Sequence, residues 1–284
     1  MRESLNEMVT GSSGFERDEV SAANQCFRFR FAYPMKISII TAVFNNRDTV
    51  AEALESILTQ SYGNVELVVI DGGSTDGTLE VLKGYEARLG FFVSESDGGI
   101  YDALNKGIRF ATGDVVGFLH SDDVLADCDV LLRVARAMAG ASNVDAVYGD
   151  LVYVRKESLT HVVRWWRAGN FNTRKLSFGW MPPHPTFYAR KSVYERWGGF
   201  DTTYRIAADY DCMLRFMKCG LKLTYIPHVQ VRMRVGGASN RSLQNIVRKS
   251  VEDYRAMRRN SVGGLWVLAA KNLRKVTQYW SRDS

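Results

Sequence analysis

Residues 65–78 read VELVVIDGGSTDGT, and no other stretch of this chain constrains the fold as strongly. Val65, Leu67, Val68, Val69 and Ile70 have the content of a strand buried on both faces, as in a parallel sheet. Asp71 ends the strand, Gly72 and Gly73 permit a sharp turn, and Ser74 or Thr75 can cap a following helix. Open α/β sheets bind ligands beyond the carboxyl ends of their strands, which makes Asp71 a candidate ligand-facing carboxylate. Taken alone, the same pattern also describes an ordinary βα turn.

Strand signals at 37–44, 65–70, 91–94, 115–119 and 146–154 alternate with helical ones at 49–59, after 75, at 101–111 and at 131–138. Such alternation predicts parallel βαβ units. Residues 155–185, rich in Trp, Gly and Pro, break the rhythm as a substrate-facing insertion would. A helix at 209–218 and a strand at 221–226 close the unit. The organisation expected is an N-terminal extension over 1–34, an α/β domain over 35–240 and a basic helical tail over 241–284.

No apolar run approaches the roughly 18 residues of a membrane-spanning helix, and the N-terminus has no signal-peptide core. Cys26, Cys128, Cys212 and Cys219 form no C-x-x-C pair. Their scatter argues against a zinc site or disulfide framework and suits a reducing cytoplasm.

The net charge of +6 is unevenly placed: residues 241–284 hold ten Lys/Arg against three Asp/Glu, leaving −1 for the rest. With 264–282 taken as a helix, Leu265, Leu268, Ala269, Leu273, Val276, Tyr279 and Trp280 fall in one arc of about 120°, with Trp266 just beyond it. Lys271, Arg274, Lys275, Gln278 and Arg282 lie opposite, while Asn272 and Val267 are misfits. Such a helix suits an anionic lipid interface, and its competitor is packing of the apolar stripe onto protein. The expected location is cytoplasmic, peripheral on the inner membrane. The folded part is not basic and the tail carries no nucleic-acid motif, so nucleic acid is not an expected partner.

Polar clusters follow the predicted strands: Thr41 to Asn46, Asp71, Glu95-Ser96-Asp97-Gly98-Gly99 leading to Asp102 and Lys106, and His120-Ser121-Asp122-Asp123. In a parallel sheet these ends share one edge. Carboxylates crowded there repel unless a cation shares the site. A hard divalent ion with oxygen ligands is the simplest neutraliser, and it would also hold a diphosphate.

ISIITAVFNN at 37–46, VIDGGSTDGT at 69–78, SDGGIYDALNKGI at 96–108, GDVVGFLHSDD at 113–123 and AADYD at 207–211 resemble, in order, the family 2 glycosyltransferases of the GT-A fold. The resemblance implies a single Rossmann-like mixed sheet flanked by helices and a nucleotide-sugar donor. It implies that Asp71 and Asp97 bind the nucleoside, that Thr41, Phe44, Asn45 and Ser121 line its pocket, and that Asp122 ligates Mn²⁺ or Mg²⁺. Asp102, Lys106, Asp123, His184 and Arg234 are then candidate donor or acceptor contacts. The chain departs from the pattern at His120, where an acid is usual, and at Ala208, where the usual Glu of a Glu-Asp pair is missing.

Attack opposite a diphosphate leaving group gives inversion in one step and requires a carboxylate to take the acceptor's proton. Asp209 is the candidate base and Asp211 the fallback, although acids in a first helical turn also pair with the helix dipole. The expected donor is a UDP-sugar and the expected acceptor a saccharide, free or lipid-linked. A sugar nucleotidyltransferase is the competing enzyme reading, but 42–47 lacks the glycine-rich loop expected there. A nucleic-acid-binding protein with a basic tail is the non-enzymatic alternative.

Overall fold

The computed structural model describes residues 35–140, 143–236 and 243–277. Among them, β1 (Ile37–Val43), β2 (Val65–Asp71), β3 (Phe91–Ser94), β4 (Val115–Phe118), β5 (Val124–Leu125), β6 (Ala146–Arg155), β7 (Ser158–Trp166), β8 (Tyr188–Arg190) and β9 (Leu223–Arg234) form one mixed sheet. Its order is β3-β2-β1-β4-β8-β6-β9-β5, with β7 on β6. β1 is parallel to β2 and β4, and β2 to β3, while β8 runs antiparallel between β4 and β6. The chain steps outward from β1 to β3 and then returns to β4 on the other side of β1. A crevice opens at that reversal, at the carboxyl ends of the strands.

Among the described residues, eight α-helices accompany the sheet: α1 (Val50–Leu58), α2 (Thr78–Lys83), α3 (Ile100–Phe110), α4 (Val130–Ala139), α5 (Lys191–Trp197), α6 (Ala208–Lys218), α7 (Leu243–Arg259) and α8 (Leu265–Thr277). The apolar run of β2 serves two cores, one per face. Leu67 and Val69 pack with α1 and α4, and Val68 and Ile70 pack with α3, α5 and α6. That double burial is why the strand reads as continuous rather than alternating hydrophobicity.

Two stretches differ from the sequence expectation. The supposed insertion at 155–185 begins with β7, antiparallel to β6, where the Arg164 guanidinium lies 3.7 Å from the centre of the Tyr153 ring. β9 continues well past the predicted strand, because its register against β6 jumps from Gly149–Ile226 to Asp150–Val229 and leaves Pro227 in a bulge. A proline is tolerated in a strand at such a point, which hides the continuation from sequence. Cys128 is disulfide-bonded, although the scatter of cysteines argued against a disulfide framework, and Cys212 and Cys219 are free thiols.

The tail is not a separate appendage. α7 buries Ala256 and Met257 in the core that contains α6, and α8 adds Val267. Lys271, expected on a solvent-facing side, is buried with its ammonium 2.7 Å from Asp253 and 3.2 Å from the centre of the Tyr210 ring. Gly179, at φ +68°, allows this approach, since a Cβ there would sit 2.8 Å from the Val267 carbonyl oxygen. Part of the predicted apolar arc faces outward: Leu265, and Trp266 just beyond the arc, are each 72% exposed and Leu273 64%, while Leu268 packs against the core. Gln278, Tyr279, Trp280 and Arg282 lie outside the described residues, as does the extension over 1–34. No helix among the described residues is long and apolar enough to cross a membrane.

Removing one partner of a buried ion pair strands the other charge. Asp253→Asn should therefore destabilise the protein by about 3 kcal/mol. Leu273→Ala, at an exposed position, should change stability by less than about 0.5 kcal/mol. Urea denaturation of the two variants checks both values.

Candidate active site

The loop after β2 is built around Asp71. Its carboxylate is buried and accepts from Gly73 N (3.2 Å), Ser74 N (3.1 Å), Ser74 Oγ (2.5 Å) and Ser94 Oγ (2.6 Å). Both oxygens are occupied in shaping the turn, so Asp71 does not reach the crevice as a free nucleoside ligand. Thr41 is likewise buried beneath it.

The exposed groups at this end are Phe44, 63% exposed, and the half-buried Asp97. Gly72 brings them together: a Cβ at Gly72 would lie 2.8 Å from Asp97 Oδ2 and 3.3 Å from the Phe44 ring. An aromatic face beside a carboxylate can stack on a base and accept from its N–H or from ribose hydroxyls. Asn45 adopts φ 47° and closes the loop, donating its N–H to Ser74 Oγ (2.8 Å) and accepting from Thr75 N at Oδ1 (2.8 Å). Asn46 Nδ2 donates to Ser121 Oγ (2.8 Å), tying the β1 loop to the β4 loop. At the head of α3, Asp102 accepts from Gly98 N (3.0 Å), which holds its carboxyl below the usual range. Lys106 pairs with Glu95 at 2.9 Å and with Asp102 at 3.5 Å.

Beyond β4, Asp122 and Asp123 part ways. Asp122 is half-buried, and its carboxylate takes no hydrogen bond among the described residues. Asp123 is fully buried, and burial beside Asp122 pushes its carboxyl up; its Oδ1 accepts from Arg234 N (3.0 Å). The Arg234 side chain, also buried, donates to the Asp122 carbonyl oxygen (2.6 Å), the Lys156 carbonyl oxygen (3.2 Å) and Glu52. Asp123 and Arg234 thus latch this loop to β9 and do not contact the crevice as expected from sequence. Among the described residues no group of three His, Cys, Asp or Glu side chains is placed to cage a metal. A single free carboxylate fits a hard cation that arrives with most of its oxygen ligands from a diphosphate and water. His120 is half-buried, with its ring centre 6.0 Å from that of His184.

His184 is enclosed by Phe118 and Phe200, with ring centres at 5.3 Å and 5.6 Å, and its Nε2 is buried without a partner. Burial lowers its pKa from 6.5 to about 4, opposed by the nearby Asp209 and reinforced by His120. Asp209 and Asp211 point to different surroundings. Asp209 is half-buried at the head of α6, with Oδ1 3.3 Å from the Tyr101 hydroxyl. Asp211 is buried toward α7, where Asn260 Nδ2 donates to it at 2.9 Å. Only Asp209 joins the crevice. Sequence reasoning passed over Tyr101, although it lies inside the SDGGIYDALNKGI stretch.

The crevice therefore offers an aromatic face with a carboxylate, a second free carboxylate on the neighbouring loop and a third beside a neutral histidine. The model of "Glycosyl transferase family 2" matches residues 38–198. The chain is 35% identical over 214 residues to a PGL/p-HBAD biosynthesis glycosyltransferase of Mycobacterium tuberculosis H37Rv, covering 74% of this chain and 80% of that one. The chain belongs to glycosyl transferase family 2. Another 35%-identical family member, an uncharacterized glycosyltransferase of the same strain, aligns over 181 residues, 63% of this chain and 68% of its own length. In fold the glycosyltransferase matches S. aureus TarS 1-349 with a TM-score of 0.64 at 20% identity, over 86% of this chain and 72% of that one. It spans 44% of the longer TarS chain. The mannosyltransferase PcManGT from Pyrobaculum calidifontis, solved with GDP-Man and Mn2+, matches with a TM-score of 0.59 at 20% identity, over 89% and 77% of the two chains. The architecture is that of the GT-A glycosyltransferases, as the sequence implied.

The unfolded chain takes up a proton at His184 near pH 6.5, and the folded one does so only at about pH 4. Stability from this residue is therefore full above pH 6.5 and is lost as the pH falls toward 4. The fall in unfolding free energy between pH 7 and pH 4.5 should be about 2 kcal/mol smaller in His184→Gln than in the parent chain. Denaturation midpoints at the two pH values test this.

Proposed function

We propose that the chain is an inverting glycosyltransferase that moves a sugar from a nucleotide-sugar, a UDP-sugar in the first instance, to a hydroxyl of a saccharide, free or lipid-linked. The observation that carries this reading is the separation of Asp209 from Asp211: only Asp209 stands in the crevice, beside Tyr101 and His184. The acceptor oxygen attacks the anomeric carbon, the bond to the diphosphate oxygen breaks, and the acceptor's proton passes to Asp209. Phe44 and Asp97 take the base and ribose. Asp122 would hold a divalent cation, Mn²⁺ or Mg²⁺, which when bound supplies positive charge to the departing diphosphate.

Two structural relatives support the donor class. TarS 1-349 has been solved with UDP-GlcNAc, and PcManGT with GDP-Man and Mn2+. The PGL/p-HBAD biosynthesis relatives are glycosyltransferases by name and support the transfer reaction. The nucleotidyltransferase and nucleic-acid readings find no comparable support.

Asp209→Asn should lower kcat by about 100-fold or more while leaving UDP affinity within about twofold, since a base acts in the transition state. Normal turnover in this variant would refute the assignment. Asp122→Asn should abolish the strengthening of UDP binding by Mn²⁺ in titration calorimetry. Identical UDP affinity of the parent chain with and without EDTA would remove the metal from the reading.

The C-terminal helices support a place on an anionic membrane. Leu265, Trp266 and Leu273 form an open apolar face on α8, and Val247 and Val251 are exposed on α7 beside Arg248, Arg255 and Arg258. Apolar and cationic side chains on one surface suit the headgroup region. Vesicles containing phosphatidylglycerol should sediment the full chain at low salt, and Trp266→Ser with Leu273→Ser should weaken this. Equal recovery of both proteins in the supernatant would reject the membrane reading.

A further inference from the structure

α6 begins without a cap of its own. Ala207 stands at its N-cap position and offers no side-chain oxygen, and the first helical residue is Ala208. The missing acceptor arrives from the tail. Glu252 of α7 receives Arg205 N at Oε1 (3.1 Å) and both Ile206 N (2.8 Å) and Ala207 N (2.9 Å) at Oε2. A carboxylate held against consecutive N–H groups at a helix entrance is favoured by their partial charge and by the helix dipole.

The peptide gripped in this way connects directly to the crevice. Ile206 gives its N–H to Glu252, and its carbonyl oxygen accepts the Tyr101 hydroxyl at 2.6 Å. The same hydroxyl lies 3.3 Å from Asp209 Oδ1. A phenol has one proton, and the shorter contact directs it to the carbonyl, which leaves lone pairs of Asp209 open. One residue along α7, Asp253 pairs with Lys271, whose ammonium lies over the ring of Tyr210, the neighbour of Asp209. Glu252 lies outside the 38–198 span matched by the family model.

We propose that Glu252 is a positioning residue for the transfer reaction: by holding the amides of 205–207 it sets Ile206, Tyr101 and hence Asp209 in the geometry that accepts the proton. The inference rests on the assignment of Asp209 as base. The C-terminal segment is then part of the catalytic unit, not only a membrane seat.

The test compares Glu252→Ala, Glu252→Gln and Arg259→Ala in the full chain. Arg259 joins α7 to the same segment through Asp201 but touches none of the three amides. Turnover is read as Mn²⁺-dependent release of nucleoside diphosphate from UDP-N-acetylglucosamine, UDP-glucose or GDP-mannose, whichever the parent chain consumes, and UDP affinity by calorimetry. Glu252→Ala should lose about 10- to 100-fold in kcat, as small misplacements of a catalytic group do, with UDP affinity unchanged. Glu252→Gln keeps one acceptor oxygen and should recover part of the loss. Hydrogen exchange at 205–207 should quicken in the same order, and Arg259→Ala should stay within about twofold of the parent in kcat.

A folded Glu252→Ala protein with parental turnover overturns the proposal, and so does an Arg259→Ala protein as impaired as Glu252→Ala. If Glu252→Ala does not fold, Glu252→Gln decides: parental turnover with parental exchange at 205–207 refutes the role. Asp209→Asn separates the two readings. If it is active, the base assignment fails; if it is inactive while Glu252→Ala is active, only the positioning role fails.

Discussion

Parallel strands cannot be joined by a hairpin, because each return must cross the full length of the sheet. In this protein β1, β2, β3 and β4 all obey that constraint, so every one of their carboxyl ends delivers a loop to the same edge. The crossover helices cover both faces and favour apolar residues on both sides of the strands, so the carboxyl edge collects the loops that carry the candidate polar site. The crevice is thus a by-product of chain connectivity before any particular side chain is considered.

Crowding carboxylates on one edge creates a problem of charge, and the structure handles it by sorting them. Asp71 is consumed by four donors, and Asp123 is turned inward onto the backbone of Arg234. Asp102 is balanced by Lys106 and by Gly98 N. Asp122 takes no hydrogen bond among the described residues, while Asp97 accepts only from Gly99 N (2.8 Å) and Asp209 lies 3.3 Å from the Tyr101 hydroxyl. The buried acids give the loops their shape, and the shape keeps the open acids in place.

The sheet, the alternation of helices and the clustering of strand ends were legible because each follows from local periodicity and turn residues. The roles of individual acids were less so. A carboxylate that ends a strand looks the same in sequence whether it faces a ligand or its own turn, and Ser94, which helps decide the matter for Asp71, comes from a separate strand. β7 and the end of β9 were hidden by tryptophans, a proline and a bulge whose meaning depends on pairing with β6. On α8 the pattern identified an amphipathic helix and an open apolar arc but did not reveal that Lys271, opposite that arc, is buried against Asp253 and the ring of Tyr210. Glu252 gave no signal at all, since its partners are the backbone amides of a distant segment.

With Asp209 as the base proposed above, the placement of the Tyr101 hydroxyl bears on how the site would reset between turnovers. While Asp209 is ionised, the phenol proton is held by the Ile206 carbonyl and the phenol oxygen keeps a free lone pair toward the carboxylate. A carboxyl that has just gained a proton becomes a donor, and that lone pair, 3.3 Å away, is the nearest acceptor already in position. The contact can therefore reverse its polarity with no heavy atom moving. In the reaction proposed above, one arrangement of heavy atoms would thus serve both charge states of Asp209, with no reorganisation required before the proton escapes to solvent.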